Sequence, residues 1–97
     1  MKKLDKLAKV KGYVIHCPTF SDANRLCTAL NIAGYVWRDG GTYASYNYWN
    51  QHKEQTCYNP YEGTYARRYY FENEAEKNCG YKINIINIDE FLDILNS

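Results

Sequence analysis

The polarity pattern of the chain changes period several times, and each change marks an element. Residues 13–17 alternate, with Tyr13, Ile15 and Cys17 on one face and Val14 and His16 on the other, which predicts a first strand. Pro18 ends it. Ala23, Leu26, Cys27 and Leu30 then follow the i, i+3, i+4, i+7 stripe of a helix with one apolar side. Thr19 and Asp22 occupy capping-box positions at its start, Asp22 standing where Glu is the favoured acid. Gly34 stands where a left-handed glycine would close the helix. Residues 35–38 read as a short second strand, and Asp39-Gly40-Gly41 as a turn whose glycines supply positive φ. Between 43 and 53 the periodicity is poor, which predicts an ordered loop with room for one helical turn.

Residues 54–59 and 64–71 predict a third and a fourth strand, joined by a Pro60-Tyr61-Glu62-Gly63 hairpin connection. In the fourth, Tyr65, Arg67, Tyr69 and Phe71 alternate against Ala66, Arg68 and Tyr70. Residues 73–79 are good helix formers stopped by Gly80, with Phe71, Ala75 and Cys79 on one side. Residues 81–86 alternate as a fifth strand. Asn87 then caps a last helix, with Glu90 three residues on and Ile88, Phe91, Leu92 and Leu95 as its buried stripe. The lysine-rich residues 1–11 carry Leu4, Leu7 and Ala8 at helical spacing, as a short helical turn on the domain or a flexible tail.

Ala33-Gly34-Tyr35-Val36-Trp37 and Cys79-Gly80-Tyr81-Lys82-Ile83 share one outline: helix end, glycine, tyrosine, strand. The expectation is two β-α-β passes joined by a hairpin in one domain spanning residues 1–97. Its class is α+β, with a mixed or antiparallel sheet of about five strands, two to three helices on one face, and element order β-α-β-β-β-α-β-α.

Composition narrows the function classes. Ninety-seven residues suit one core, and 45% hydrophobic against 24% charged content describes a globular chain. Net charge is +1, from 12 basic and 11 acidic residues, which disfavours both a protein that wraps duplex DNA and an acidic DNA mimic. Lysines and Asp5 interrupt the N-terminal stretch, so no signal peptide and no membrane span are expected, and the expected compartment is the reducing cytoplasm. Cys17, Cys27, Cys57 and Cys79 are then free thiols, and their spacings of 10, 30 and 22 match no compact disulfide scaffold.

Candidate chemistry is sparse. There is no Cys-x-x-Cys and no His pair at ligand spacing, and His16 and Cys17, adjacent on a strand, point to opposite faces, so no metal or cofactor is expected. No nucleophile elbow, P-loop or dinucleotide fingerprint is present, and no enzyme is expected. Recognition remains. Tyrosine, tryptophan and arginine dominate binding hot spots, and aromatic faces also stack on bases. Arg38 with Tyr43, Tyr46, Tyr48 and Trp49, and Arg67 and Arg68 among Tyr65, Tyr69 and Tyr70, are the candidate contact residues. Tyr35 and Trp37 read as core. For Tyr43, Tyr46 and Tyr48, core and contact both stay open, because a small domain can build its core from tyrosine.

The Gly34-Tyr35-Val36-Trp37 step, followed by Tyr46-Asn47-Tyr48-Trp49 and by the aliphatic strand and Glu-Phe helix at 83–91, resembles small accessory proteins of phages and prophages. The resemblance covers about residues 12–92 and brings no catalytic residues. It implies a phage-encoded binding protein that neutralises host defence. Such a protein would bind a host immune protein, in the manner of anti-CRISPR proteins, or sequester a nucleotide signal at a homo-oligomer interface. The other readings are a single-stranded nucleic-acid or nucleotide-binding module and a plain assembly domain.

Overall fold

The computed structural model describes residues 3–97, with side chains from Lys6 onward. Met1 and Lys2 lie outside that description, as does the side chain of Leu4 in the terminal stripe. In chain order the elements are α1 (Lys3–Val10), β1 (Tyr13–His16), α2 (Phe20–Ile32), α3 (Trp49–His52), a 3-10 turn (Lys53–Gln55), β2 (Thr56–Asn59), β3 (Thr64–Arg67), α4 (Arg68–Asn73), α5 (Ala75–Cys79), β4 (Asn84–Ile86) and α6 (Ile88–Asn96).

The alternating stretch at residues 13–17 becomes the middle of the sheet. β1 pairs antiparallel with β2, Ile15 opposite Tyr58, and parallel with β4, Val14 opposite Ile85. β3 adds antiparallel to β2 through the predicted hairpin, giving a mixed four-stranded sheet in the order β3-β2-β1-β4. Because side chains alternate, the sheet feeds two cores. Ile15, Cys17 and Tyr58 face α2 and α6, where Leu26, Leu30 and Phe91 are fully buried. Val14 and Cys57 face the other way, against Phe71 of α4 and Ala75 of α5. Helices therefore cover both faces, where one was expected.

The predicted caps are present. Thr19 Oγ1 accepts from the Asp22 amide at 3.1 Å, and Asn87 Oδ1 accepts from the Glu90 amide at 2.8 Å. The Asp22 carboxylate instead lies 4.0 Å from Arg25 Nη1. At the end of α2 the Gly34 amide donates to Asn31 O and the Tyr35 amide to Leu30 O, a Schellman closure that uses Gly34 at φ +88°. α1 lies on the domain: Lys9 Nζ donates to the Leu95 and Ser97 carbonyls and so neutralises the end of α6.

Two predicted strands are corrected. Residues 35–38 form no strand of the sheet, whose order is β3-β2-β1-β4. The segment folds on itself instead: Val36 bridges Thr42, and the Gly40 amide donates to Trp37 O at 2.9 Å. The first β-α-β pass is lost with it, whereas β3 and β4, both parallel to β1 and joined through α4 and α5, keep the second in outline, and both glycine stops, Gly34 and Gly80, have positive φ. The predicted fourth strand, 64–71, turns helical at Arg68, where Arg68 Nε reaches Glu72 Oε2 at 3.1 Å, an i,i+4 pair that a strand cannot make. The helix expected at 73–79 is present as α5, starting two residues later, and the fifth strand shortens to three residues.

Gly63 locks the corrected segment to the hairpin. Its φ is +69°, its carbonyl accepts from the Arg38 amide at 3.0 Å, and a Cβ there would lie 2.6 Å from that same nitrogen. Gly40 has φ +93° but open space around it. Gly63→Ala is expected to cost backbone strain of about 1–3 kcal/mol plus a steric term of similar size, and Gly40→Ala the strain alone. Urea unfolding midpoints of the two variants check the order.

Candidate functional site

Along α2 the residues Phe20, Asn24, Thr28 and Ile32 fall four apart, so they share a face beside the buried stripe. Phe20 is 47% exposed and Ile32 81% exposed. Opposite that face runs the irregular segment 43–51. Between them lies an open groove of about 690 Å³, within the usual range for a binding pocket.

Hydrogen bonds hold the far wall of the groove in place. Asn47 Oδ1 accepts from the Trp49 amide at 3.0 Å, so its Nδ2 faces Asn24 Oδ1, 3.1 Å away, tying the wall to α2. Tyr58, rising from the sheet, donates its hydroxyl proton to Asn47 O at 2.6 Å. Trp49 Nε1 donates to Cys17 O at 2.9 Å, and its ring meets Phe20 edge to face. Tyr48 adopts a left-handed backbone, φ 59°, a conformation costly for a bulky side chain. That turn lays its ring flat on Tyr65, 4.5 Å between centroids, and against the edge of Trp37.

The candidate residues separate into three groups. Tyr43 is core: it is 2% exposed and packs 4.3 Å from Trp37. Its Oη is buried and has no hydrogen-bond partner among the described residues. Tyr46, Tyr48 and Trp49 line the groove and are partly open to solvent, as the contact reading requires. Tyr46 is braced by its ring stacking on Trp37 and by its hydroxyl donating to Asp39 Oδ2 at 3.2 Å. The arginines lie elsewhere. Arg67 Nε donates to His52 Nδ1, and Arg68 is held by Glu72 and by His16 Nδ1 at 3.2 Å. His16 Nε2 lies 2.7 Å from Glu54 O, which can only accept, so the ring proton is on Nε2. Arg38 is exposed at the rim of the second cavity, with Asn59 and Glu62.

The groove is uncharged. None of its fifteen lining residues, all among the described residues, is acidic, basic or histidine; its polar groups are amides and hydroxyls such as Asn31, Asn50 and Gln51. Sequence reasoning missed Phe20, Asn24, Thr28 and Ile32. The signal was there: Phe20 and Ile32 are apolar positions off the 23-26-27-30 stripe. Among the described residues no three His, Cys, Asp or Glu side chains gather as metal ligands, and no helix is long and apolar enough to cross a membrane. Compared with protein-family models, curated proteins and solved structures, the chain matches none.

The four cysteines are free. Burial pushes the Cys27 and Cys57 thiols up to about 12 and lifts Cys17 further still, so these three are not thiolates at neutral pH. Burial likewise raises the Tyr43 and Tyr58 hydroxyls well above the ordinary phenol value. The unfolded chain releases these protons first, its thiols from about pH 9.0. Above that point the folded state holds more protons than the unfolded one, so stability is complete below it and falls as pH rises. Urea midpoints are expected to stay level from about pH 7 to 8 and to drop steadily above about pH 9.

Proposed function

We propose that the protein is a non-catalytic binding protein that docks on another protein through the neutral aromatic groove between α2 and residues 43–51. The observation that carries the reading is the lining: partly exposed aromatic and aliphatic side chains interleaved with amides and hydroxyls, without a formal charge. Protein contact surfaces have this character at their centre, depleted of charge and rich in aromatics. A nucleotide signal or a single strand of nucleic acid needs cations for phosphate and free ring faces for bases. The groove lining holds no lysine or arginine, Tyr48 already stacks on Tyr65, and one face of Tyr46 rests on Trp37. Docking is therefore preferred over nucleotide sequestration. The setting proposed for it is neutralisation of a host defence protein by a phage-encoded chain, and that part rests on the resemblance of the sequence alone.

Ile32 offers a clean test, since it is 81% exposed and lines the groove. Ile32→Lys should leave the unfolding midpoint unchanged, because a cation suits the end of a helix. It should weaken capture of the partner at least about tenfold, the loss typical of a contact hot spot. The checks are affinity purification with both forms, followed by a measured dissociation constant for the captured protein. Retained capture by Ile32→Lys, or heats of binding across a panel of cyclic and linear nucleotides, would sink the docking reading.

A further inference from the structure

Along the far wall of the docking groove the backbone acceptors are already engaged. Tyr46 O accepts from Trp37 Nε1 at 3.1 Å, and Asn47 O from the Tyr58 hydroxyl at 2.6 Å. Tyr48 O accepts from the Gln51 amide at 3.1 Å, and Trp49 O from the Thr56 hydroxyl at 3.4 Å. The Nε1–H of Trp49 and the hydroxyl proton of Tyr46 are taken as well, by Cys17 O and Asp39.

Two side-chain amides remain, and their orientation is fixed. The Trp49 amide can only donate, so Asn47 turns Oδ1 to it and Nδ2 to Asn24. That Nδ2 can only donate in turn. Asn24 therefore meets it with Oδ1, and its own Nδ2 has no partner among the described hydrogen bonds. Gln51 repeats the arrangement: its Oε1 accepts the Tyr65 hydroxyl proton at 2.7 Å, and its Nε2 is left over. Asn24 on α2 and Gln51 on α3 are both exposed, and they line opposite walls. The groove thus offers oriented N–H donors beside partly open rings. A complementary partner presents carbonyl oxygens and apolar bulk, without charge.

Most peptide segments bring one N–H for every carbonyl. Proline brings the carbonyl alone, and a run of prolines is preformed as a polyproline II helix that aromatic-lined grooves accept. The length also suits. Phe20 and Ile32 lie at the two ends of the exposed α2 face. Their separation is about 18 Å along the helix axis, the length of about six polyproline II residues.

We propose that the partner segment seated in this groove is an uncharged, proline-rich stretch. Its carbonyls meet Asn24 Nδ2 and Gln51 Nε2, and its rings pack on Phe20, Tyr46 and Trp49. This inference rests on the docking reading.

Calorimetric titration of the whole protein with acetyl-octaproline-amide tests it, beside a neutral Gly-Ser repeat peptide of equal length. Octaproline should bind saturably, and the Gly-Ser peptide at least about tenfold more weakly. Asn24→Asp and Gln51→Glu each keep the oxygen that takes the internal hydrogen bond and replace only the donor end. Each should cut octaproline affinity at least about tenfold, with circular dichroism and the urea midpoint at wild-type values. No saturable heat at about 1 mM octaproline overturns the proposal. So does equal affinity for the Gly-Ser peptide, or unchanged affinity in both variants. If octaproline fails while Ile32→Lys still loses its captured partner, this inference alone falls. If Ile32→Lys keeps the partner, the docking reading falls and this inference with it.

Discussion

The indole of Trp37 is the post on which the irregular segment 33–48 hangs. It is 3% exposed, touches the rings of Tyr43, Tyr46, Tyr48, Tyr58 and Tyr65, and donates Nε1–H to Tyr46 O at 3.1 Å. Between α2 and α3 the chain makes no sheet pairing beyond the single Val36–Thr42 bridge. Ordering such a segment costs about 1–2 kcal/mol per residue in backbone entropy. Burying one aromatic side chain returns about 4–6 kcal/mol as an upper bound. A few rings packed on one indole can therefore hold a loop that hydrogen-bonded ladders do not. That explains why a segment with no hydrophobic periodicity is still ordered, and why its tyrosines cannot all be contact residues.

The same anchor sets both cavities. On one side, Tyr46 and Tyr48 lean on Trp37 and form the wall that faces α2. On the other, the next residue, Arg38, is fixed by its amide to Gly63 O and stands at the rim of the Asn59–Glu62 cavity. The glycines are needed where the backbones close on each other. Gly63 admits the Arg38 amide at a distance no Cβ would allow, and Gly34 turns the chain out of α2 so that Trp37 can enter the core.

Legibility followed the physics of each signal. α2 and α6 were readable because a helical stripe and its cap are local properties; Thr19, Gly34 and Asn87 each do what their residue type favours. The strands of residues 13–17 and 54–59 and the hairpin between Asn59 and Thr64 were readable for similar reasons. Residues 35–38 misled because alternation fits a strand equally well whether the segment joins the sheet or folds back on itself at Thr42, which is a tertiary fact. Residues 68–71 misled because Tyr69 and Phe71 alternate with Arg68 and Tyr70, while the helix is decided by the Arg68–Glu72 pair and by burial of Phe71 beside Ala75. Tyr46, Tyr48 and Trp49, which line the groove, stood out by composition, and Tyr43 could not be told from them. Its burial depends on Trp37 across the turn.

How the chain can meet a partner is also limited by its sheet. Adding a partner strand requires a free edge long enough to pair. The two edges are β3, four residues that run straight into α4, and β4, three residues that run into the cap of α6. Edges this short and interrupted protect a sheet against pairing with other chains. Backbone pairing is thus a poor route to affinity here, which leaves the docking proposed above to side chains. Phe20 and Ile32 stand away from the core on α2, where a stripe of buried residues one step around the helix keeps their backbone rigid. Across the groove, Tyr46, Tyr48 and Trp49 are held by Trp37, Tyr65 and the Cys17 carbonyl. The far wall is held in place in the free chain, so the proposed docking would cost little side-chain entropy there.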